Sequence, residues 1–208
     1  MSEVADQKRR AFWLKHLHQW HWVSAAICLI SMLLFALTGI TLNHAAQIPA
    51  KPVVTTREAT LSAPLLAHLA NESGADKAPL PPTVSQWIDD QMSLDTAGRT
   101  AEWSEDEVYV SMPRPGGDAW LSITRDRGEV HYERTDRGVI SFLNDLHKGR
   151  NAGPMWGWFI DLFAVACVLF AGTGLFLLKM HSSRRPGTWP YVGLGLVVPI
   201  VVIILFVH

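Results

Sequence analysis

Residues 38–44 read TGITLNH, and residues 173–181 read TGLFLLKMH. Each phrase closes a long apolar run, and each ends on histidine. A polar, titratable side chain beside lipid is costly unless it is partnered, so both phrases mark places where the chain does more than cross a membrane. Three apolar runs, 22–42, 155–178 and 191–207, each come near the ~20 residues that span a hydrocarbon layer of about 30 Å. Between the first two lies a polar stretch of about a hundred residues, enough for a small domain. The pattern predicts a mainly α membrane protein: three transmembrane helices with a small α+β extracytoplasmic domain inserted between helices 1 and 2. The expected parts are residues 1–44, 45–150 and 151–208.

Composition agrees with a mixed protein. At 49% hydrophobic residues over 208 positions, the chain is too apolar for an ordinary soluble domain and too polar to lie wholly in lipid. The first apolar run is longer than the h-region of a secretory signal, and HAAQIPA is a weak cleavage site, so it is expected to stay as an anchor. Lys8, Arg9, Arg10 and Lys15 precede the first run, while Lys179, Arg184 and Arg185 separate the second from the third. Short basic segments stay in the cytoplasm, which places residues 45 to about 150 outside and His208 at the outer end of the third span. Trp20, Trp22, Trp156, Trp158 and Trp189 fall at span ends, as in an interfacial belt. A net charge of −1 and the lack of a basic patch with interleaved aromatics argue against nucleic acid as a partner.

Residues 45–82 are rich in Ala and Pro and read as linker with one short helix near 63–70; SQWIDDQM, after Pro82, reads as a second. EVYVSM (107–112), AWLSIT (119–124) and EVHYER (129–134) alternate as strands, with turns at 113–117 and 125–128. Helices followed by a meander predict one buried sheet face. His68 and His131 read as plain structural or surface residues, and the segment serves as a cover or docking surface.

The remaining histidines carry the chemistry. His16, His18 and His21 stand at the inner end of the first span and His44 at its outer end; His147 precedes the second span and His181 follows it. The order LH, span, TG, H occurs as LHQWHW…TGITLNH and again as LHKGRN…TGLFLLKMH, in spans of opposite direction. This is an inverted repeat. It sets His44 opposite His147 on the outer side, and His18 or His21 opposite His181 on the inner side. Two facing neutral imidazoles are the axial ligands of a low-spin haem iron, whereas zinc normally takes three or four ligands. Cys28 and Cys167 both lie inside spans and no C-x-x-C-H occurs, so the haem would be non-covalent haem b. Two haems per chain are expected, with one as the alternative, because ligands at positions 21 and 44 of a straight helix lie about 34 Å apart. Gly39, Gly172 and Gly174, beside Thr38 and Thr173, either admit a flat ring or serve as small-residue helix contacts. Asp161 and, more weakly, Asp145 are candidates to support a histidine from behind.

With LHQWHW followed by ALTGITLNH, and DLHKGRNAGPMWGWFIDLFAV followed by TGLFLL, the chain resembles the PepSY-associated transmembrane family over the first two spans and the domain between them. The resemblance implies a bacterial inner-membrane protein, similar to members that act as haem-containing reductases of ferric siderophores in the periplasm. It implies that His44 and His147, with His18 or His21 and His181, are the haem-associated histidines. The chain departs from the larger reductases in having three spans where they have four or more, and a homodimer would restore a four-helix core. The implied activity is one-electron transfer from a cytoplasmic flavin or quinol, through haem, to a ferric siderophore. No G-x-G-x-x-G follows a strand, so the donor belongs to another protein. The competing readings are a non-enzymatic membrane partner whose periplasmic domain binds a peptidase, sensor or transporter, and a metal-ion conduit.

Overall fold

The computed structural model describes residues 2–71, 76–185 and 187–207; His208, expected at the outer end of the third span, lies outside them. Among the described residues three helices are long and apolar enough to cross a membrane: α1 (Ser2–Asn43), α5 (Pro154–His181) and α6 (Thr188–Phe206). Helix α1 is 42 residues long, so it extends the first expected span backward through the basic N-terminal segment. At 1.5 Å per residue it measures about 63 Å, twice what a hydrocarbon layer requires.

By their contacts the residues form two compact units, one of residues 1–34 with 158–208 and one of residues 35–157. The second unit contains β1 (Val53–Thr60), α2 (Ala63–Asn71), β2 (Lys77–Pro79), α3 (Pro82–Met92), β3 (Thr100–Trp103), β4 (Glu107–Ser111), β5 (Gly117–Thr124), β6 (Glu129–Asp136) and α4 (Val139–His147). The six strands make one antiparallel sheet in the order β1-β6-β5-β4-β3-β2. The three expected strands are its centre, β4, β5 and β6.

Alternation divides the two faces of the sheet. Val108 and Val110, Leu121 and Ile123, and Val130 and Tyr132 point to one side, where they pack with Leu69 of α2 and Val84, Ile88 and Met92 of α3. The opposite face carries Tyr109, Trp120 and His131, whose rings contact in sequence across three strands. His131 also lies 3.4 Å from Glu58, while His68 is exposed on α2.

Residues 45–82 are more ordered than a linker. VVTTREAT forms β1, paired with β6 over eight positions, and its residues are almost all exposed. Burial contributes little to it; the ladder to β6 and the β-branched run hold it. Two further elements had no sequence expectation behind them. Helix α4 follows Gly138, and the pair β2–β3 extends the far edge of the sheet.

The β4–β5 hairpin is joined tightly to α4. Gly116 has φ of +75°, and a Cβ there would sit 2.8 Å from the backbone of Phe142, so only glycine fits. Its N–H donates to Asp145 Oδ2 at 2.9 Å. Asp145 is buried, and its carbonyl accepts the Arg150 N–H at 2.9 Å. Asp145 therefore binds a turn rather than supporting a histidine ring, which corrects the sequence-based expectation.

Candidate functional site: a repeated histidine arrangement

Within the first unit, α1 and α5 are cross-linked by His21. Its Nδ1 lies 3.1 Å from both the Phe170 carbonyl and Thr173 Oγ1, and its ring stacks on Phe170 at 4.5 Å and 15°. Thr173 sends its own proton back to Leu169 O or Phe170 O. Its oxygen is thus left to accept, and His21 must carry hydrogen on Nδ1. Gly174 makes room, since a Cβ there would come within 3.3 Å of His21 Cε1.

The second unit repeats this construction. His147, at the end of α4, places Nδ1 2.7 Å from Thr38 Oγ1, while Thr38 donates to the Phe35 carbonyl at 3.1 Å. The Phe35 ring lies 5.0 Å from that of His147, and a Cβ on Gly39 would meet His147 Cε1 at 3.5 Å. Beside it, Thr41 donates to Asn144 Oδ1 at 2.8 Å. The shared element is therefore F-A-x-T-G, present as FALTG at 35–39 and FAGTG at 170–174. Phenylalanine supplies a ring face, threonine an acceptor, and glycine the gap. The ring that approaches these glycines is imidazole, whereas Gly172 has nothing near it.

His18, His44 and His181 share a different geometry. Each donates Nδ1–H to the carbonyl four residues earlier: His18 to Leu14 at 2.8 Å, His44 to Ile40 at 3.0 Å, His181 to Leu177 at 2.9 Å. A carbonyl only accepts, so Nδ1 carries a hydrogen in all three rings, and no hydrogen bond to Nε2 is present among the described residues. Metal-binding histidines are prepared in this way, with one nitrogen held by a carbonyl and the other offering its lone pair.

The structure brings one pair of these rings together. His18 and His181 stand with centroids 6.1 Å apart and planes at 88°. Imidazole nitrogens bind metals at about 2.0–2.1 Å, so two rings straddling one ion have centroids about 6 Å apart. The observed separation is near that value. Beside them is a cavity of ≈ 610 Å³ that His181 and His21 help to line, within the ~300–1,000 Å³ typical of cofactor sites. His44 and His147 make no ring contact with each other. Among the described residues no three His, Cys, Asp or Glu side chains gather at one point, so the arrangements available are pairs. Asp161 is exposed on α5 and makes no hydrogen bond or ion pair among the described residues. Cys28 and Cys167 are free thiols.

Three long apolar helices, an inserted antiparallel α+β domain and histidines docked on both F-A-x-T-G segments define a membrane protein of the PepSY-associated kind. A family model described as "Putative PepSY_TM-like" matches residues 12–208, and the chain belongs to that family. No curated protein and no solved structure matches it.

Proposed function

We propose that the chain is a b-type haem electron-transfer protein of the bacterial inner membrane, with its N-terminus cytoplasmic and residues 45–150 periplasmic, that reduces ferric siderophore iron. The observation that carries this reading is the His18–His181 pair, whose rings stand 6.1 Å apart with Nδ1 of each bonded to a carbonyl of its own helix. Haem bound there supplies one-electron chemistry, with a potential set by its axial ligands, burial and neighbouring hydrogen bonds. Between the two candidates for the inner ligand, the geometry favours His18, because its ring stands beside that of His181. On the outer side His44 and His147 are the ligands for a second haem, each with Nδ1 already bonded. Electrons enter from a cytoplasmic flavin or quinol. Reduction loosens an oxygen-rich chelator's grip on iron, since Fe(II) is the softer ion.

Optical spectra of the detergent-purified protein, oxidised and dithionite-reduced, with haem counted per chain, test this reading. His18→Ala and His181→Ala are expected to remove the inner haem and leave the outer, His44→Ala and His147→Ala the reverse, and His21→Ala to lower stability while haem is retained. Absence of a Soret band after expression with ample haem would overturn the proposal. It would leave the non-enzymatic partner reading, for which the open sheet face bearing Tyr109, Trp120 and His131 is the supporting feature.

A further inference from the structure

The cavity beside His181 has an uneven lining. Leu177, Leu178 and Gly174 give the lining an apolar part beside His21 and His181, and Arg185 adds a cationic residue to it. The Arg185 backbone is held in place: its N–H donates to the Ser182 carbonyl at 2.9 Å, and its own carbonyl accepts from the Thr188 N–H at 3.1 Å and Thr188 Oγ1 at 2.8 Å. Its side chain has no carboxylate or carbonyl partner among the described residues. No acidic residue occurs between Lys179 and Thr188 to provide one. A cation on the lining of a largely apolar cavity, beside an imidazole whose Nε2 makes no hydrogen bond among the described residues, suits a ligand that is flat and apolar in its body and carboxylated at its edge. Guanidinium pairs with carboxylate through two parallel hydrogen bonds, which lysine cannot reproduce.

We infer that Arg185 is a binding residue for the carboxylate edge of the macrocycle, pairing with a haem propionate and so fixing which way the ring lies at the His18–His181 pair. This rests on the haem reading above. The same guanidinium chemistry would also suit the phosphate of an anionic lipid headgroup at the membrane surface, and the experiment separates the two sources.

The test uses the purified full chain freed of haem, titrated with haem b and separately with haem dimethyl ester, whose propionates are masked, and followed by Soret absorbance. Arg185→Gln is expected to weaken haem b binding about tenfold and to leave ester binding unchanged, with Arg185→Lys in between; His181→Ala should weaken both. Equal binding of haem b by Arg185→Gln and wild type overturns the inference. So does a parallel loss of haem b and ester in a variant with unchanged circular dichroism. If haem binding is insensitive to Arg185→Gln while co-purifying phosphatidylglycerol falls, the headgroup is the ligand and the inference is likewise overturned. Failure of the wild type to take up either compound sinks the haem reading itself, a result distinct from all of these.

Discussion

His147 Nδ1 lies 2.7 Å from the hydroxyl of Thr38, which accepts from the ring when its own proton goes to the Phe35 carbonyl at 3.1 Å. His21 and Thr173 stand in the same relation at 3.1 Å. The two threonines are thus acceptors that orient an imidazole on a neighbouring helix, and a methyl in place of the hydroxyl abolishes the bond without changing the volume. Thr38→Val and Thr173→Val are each expected to destabilise by about 1 kcal/mol, the usual net worth of such a bond. Thr→Ser at either place should recover most of it. Chemical denaturation of the detergent-solubilised protein measures the difference, and equal stability of the Val and Ser variants would refute the role.

Three glycines of α1 and α5, Gly39, Gly172 and Gly174, should respond differently to alanine. A Cβ on Gly174 would come within 3.3 Å of His21 Cε1, on Gly39 within 3.5 Å of His147 Cε1, and on Gly172 near nothing. Gly174→Ala displaces the His21 ring slightly and costs a few tenths to about 1 kcal/mol. Gly39→Ala should be near neutral, and Gly172→Ala neutral or stabilising through better helix propensity. Thermal unfolding of the three variants in one detergent gives the order.

At the β4–β5 hairpin, backbone conformation and packing act together. Gly116→Ala places a Cβ 2.8 Å from Phe142 at a positive φ and should cost roughly 2–4 kcal/mol. Asp145→Ala leaves the Gly116 N–H buried without its acceptor, worth about 1–3 kcal/mol. Because the two changes strike one contact, the double variant should lose less than the sum. Additive losses in a denaturation cycle would show that Asp145 and Gly116 act separately.

Asp136 supplies the pH dependence of the turn into α4. The Gly138 N–H, which donates to Asp136 Oδ1 at 2.9 Å, holds its carboxyl below the ordinary value of 3.8, with Arg114 and Arg134 adding to the effect against the opposing influence of burial. A depressed folded pKa means that the contribution is present above the unfolded value and is lost as pH falls through the folded one. Protection of the Gly138 amide, measured against its intrinsic exchange rate, should therefore fall below about pH 4, and the Asp136→Asn variant should lack that step.

The candidate site was partly legible in the sequence. Position along the apolar runs selected His18, His21, His44, His147 and His181, because a titratable ring at a span end is visible in one dimension. The paired TG phrases were visible too, and F-A-x-T-G was there to be read by extending each phrase three residues toward the N-terminus. Their purpose was not legible. Threonine and glycine look like packing residues until an imidazole from another helix is seen to rest on them, and His18 and His21, three residues apart, look interchangeable until one is found bonded to Phe170 and the other beside His181.

The same division holds for the domain. Strands β4, β5 and β6 alternate because one face of each is buried, and alternation is a property of the sequence alone. Strand β1 has almost no burial, and its eight-residue pairing with β6 is a non-local ladder whose partners lie 69 to 83 residues away, so its own composition reads as linker. Length and hydropathy by themselves determine three apolar helices and a polar insert, since burial of apolar surface needs no partner to be specified. Which imidazole docks, which faces another, and which carboxylate serves a turn are decided only when distant segments meet, because hydrogen bonds are short and directional.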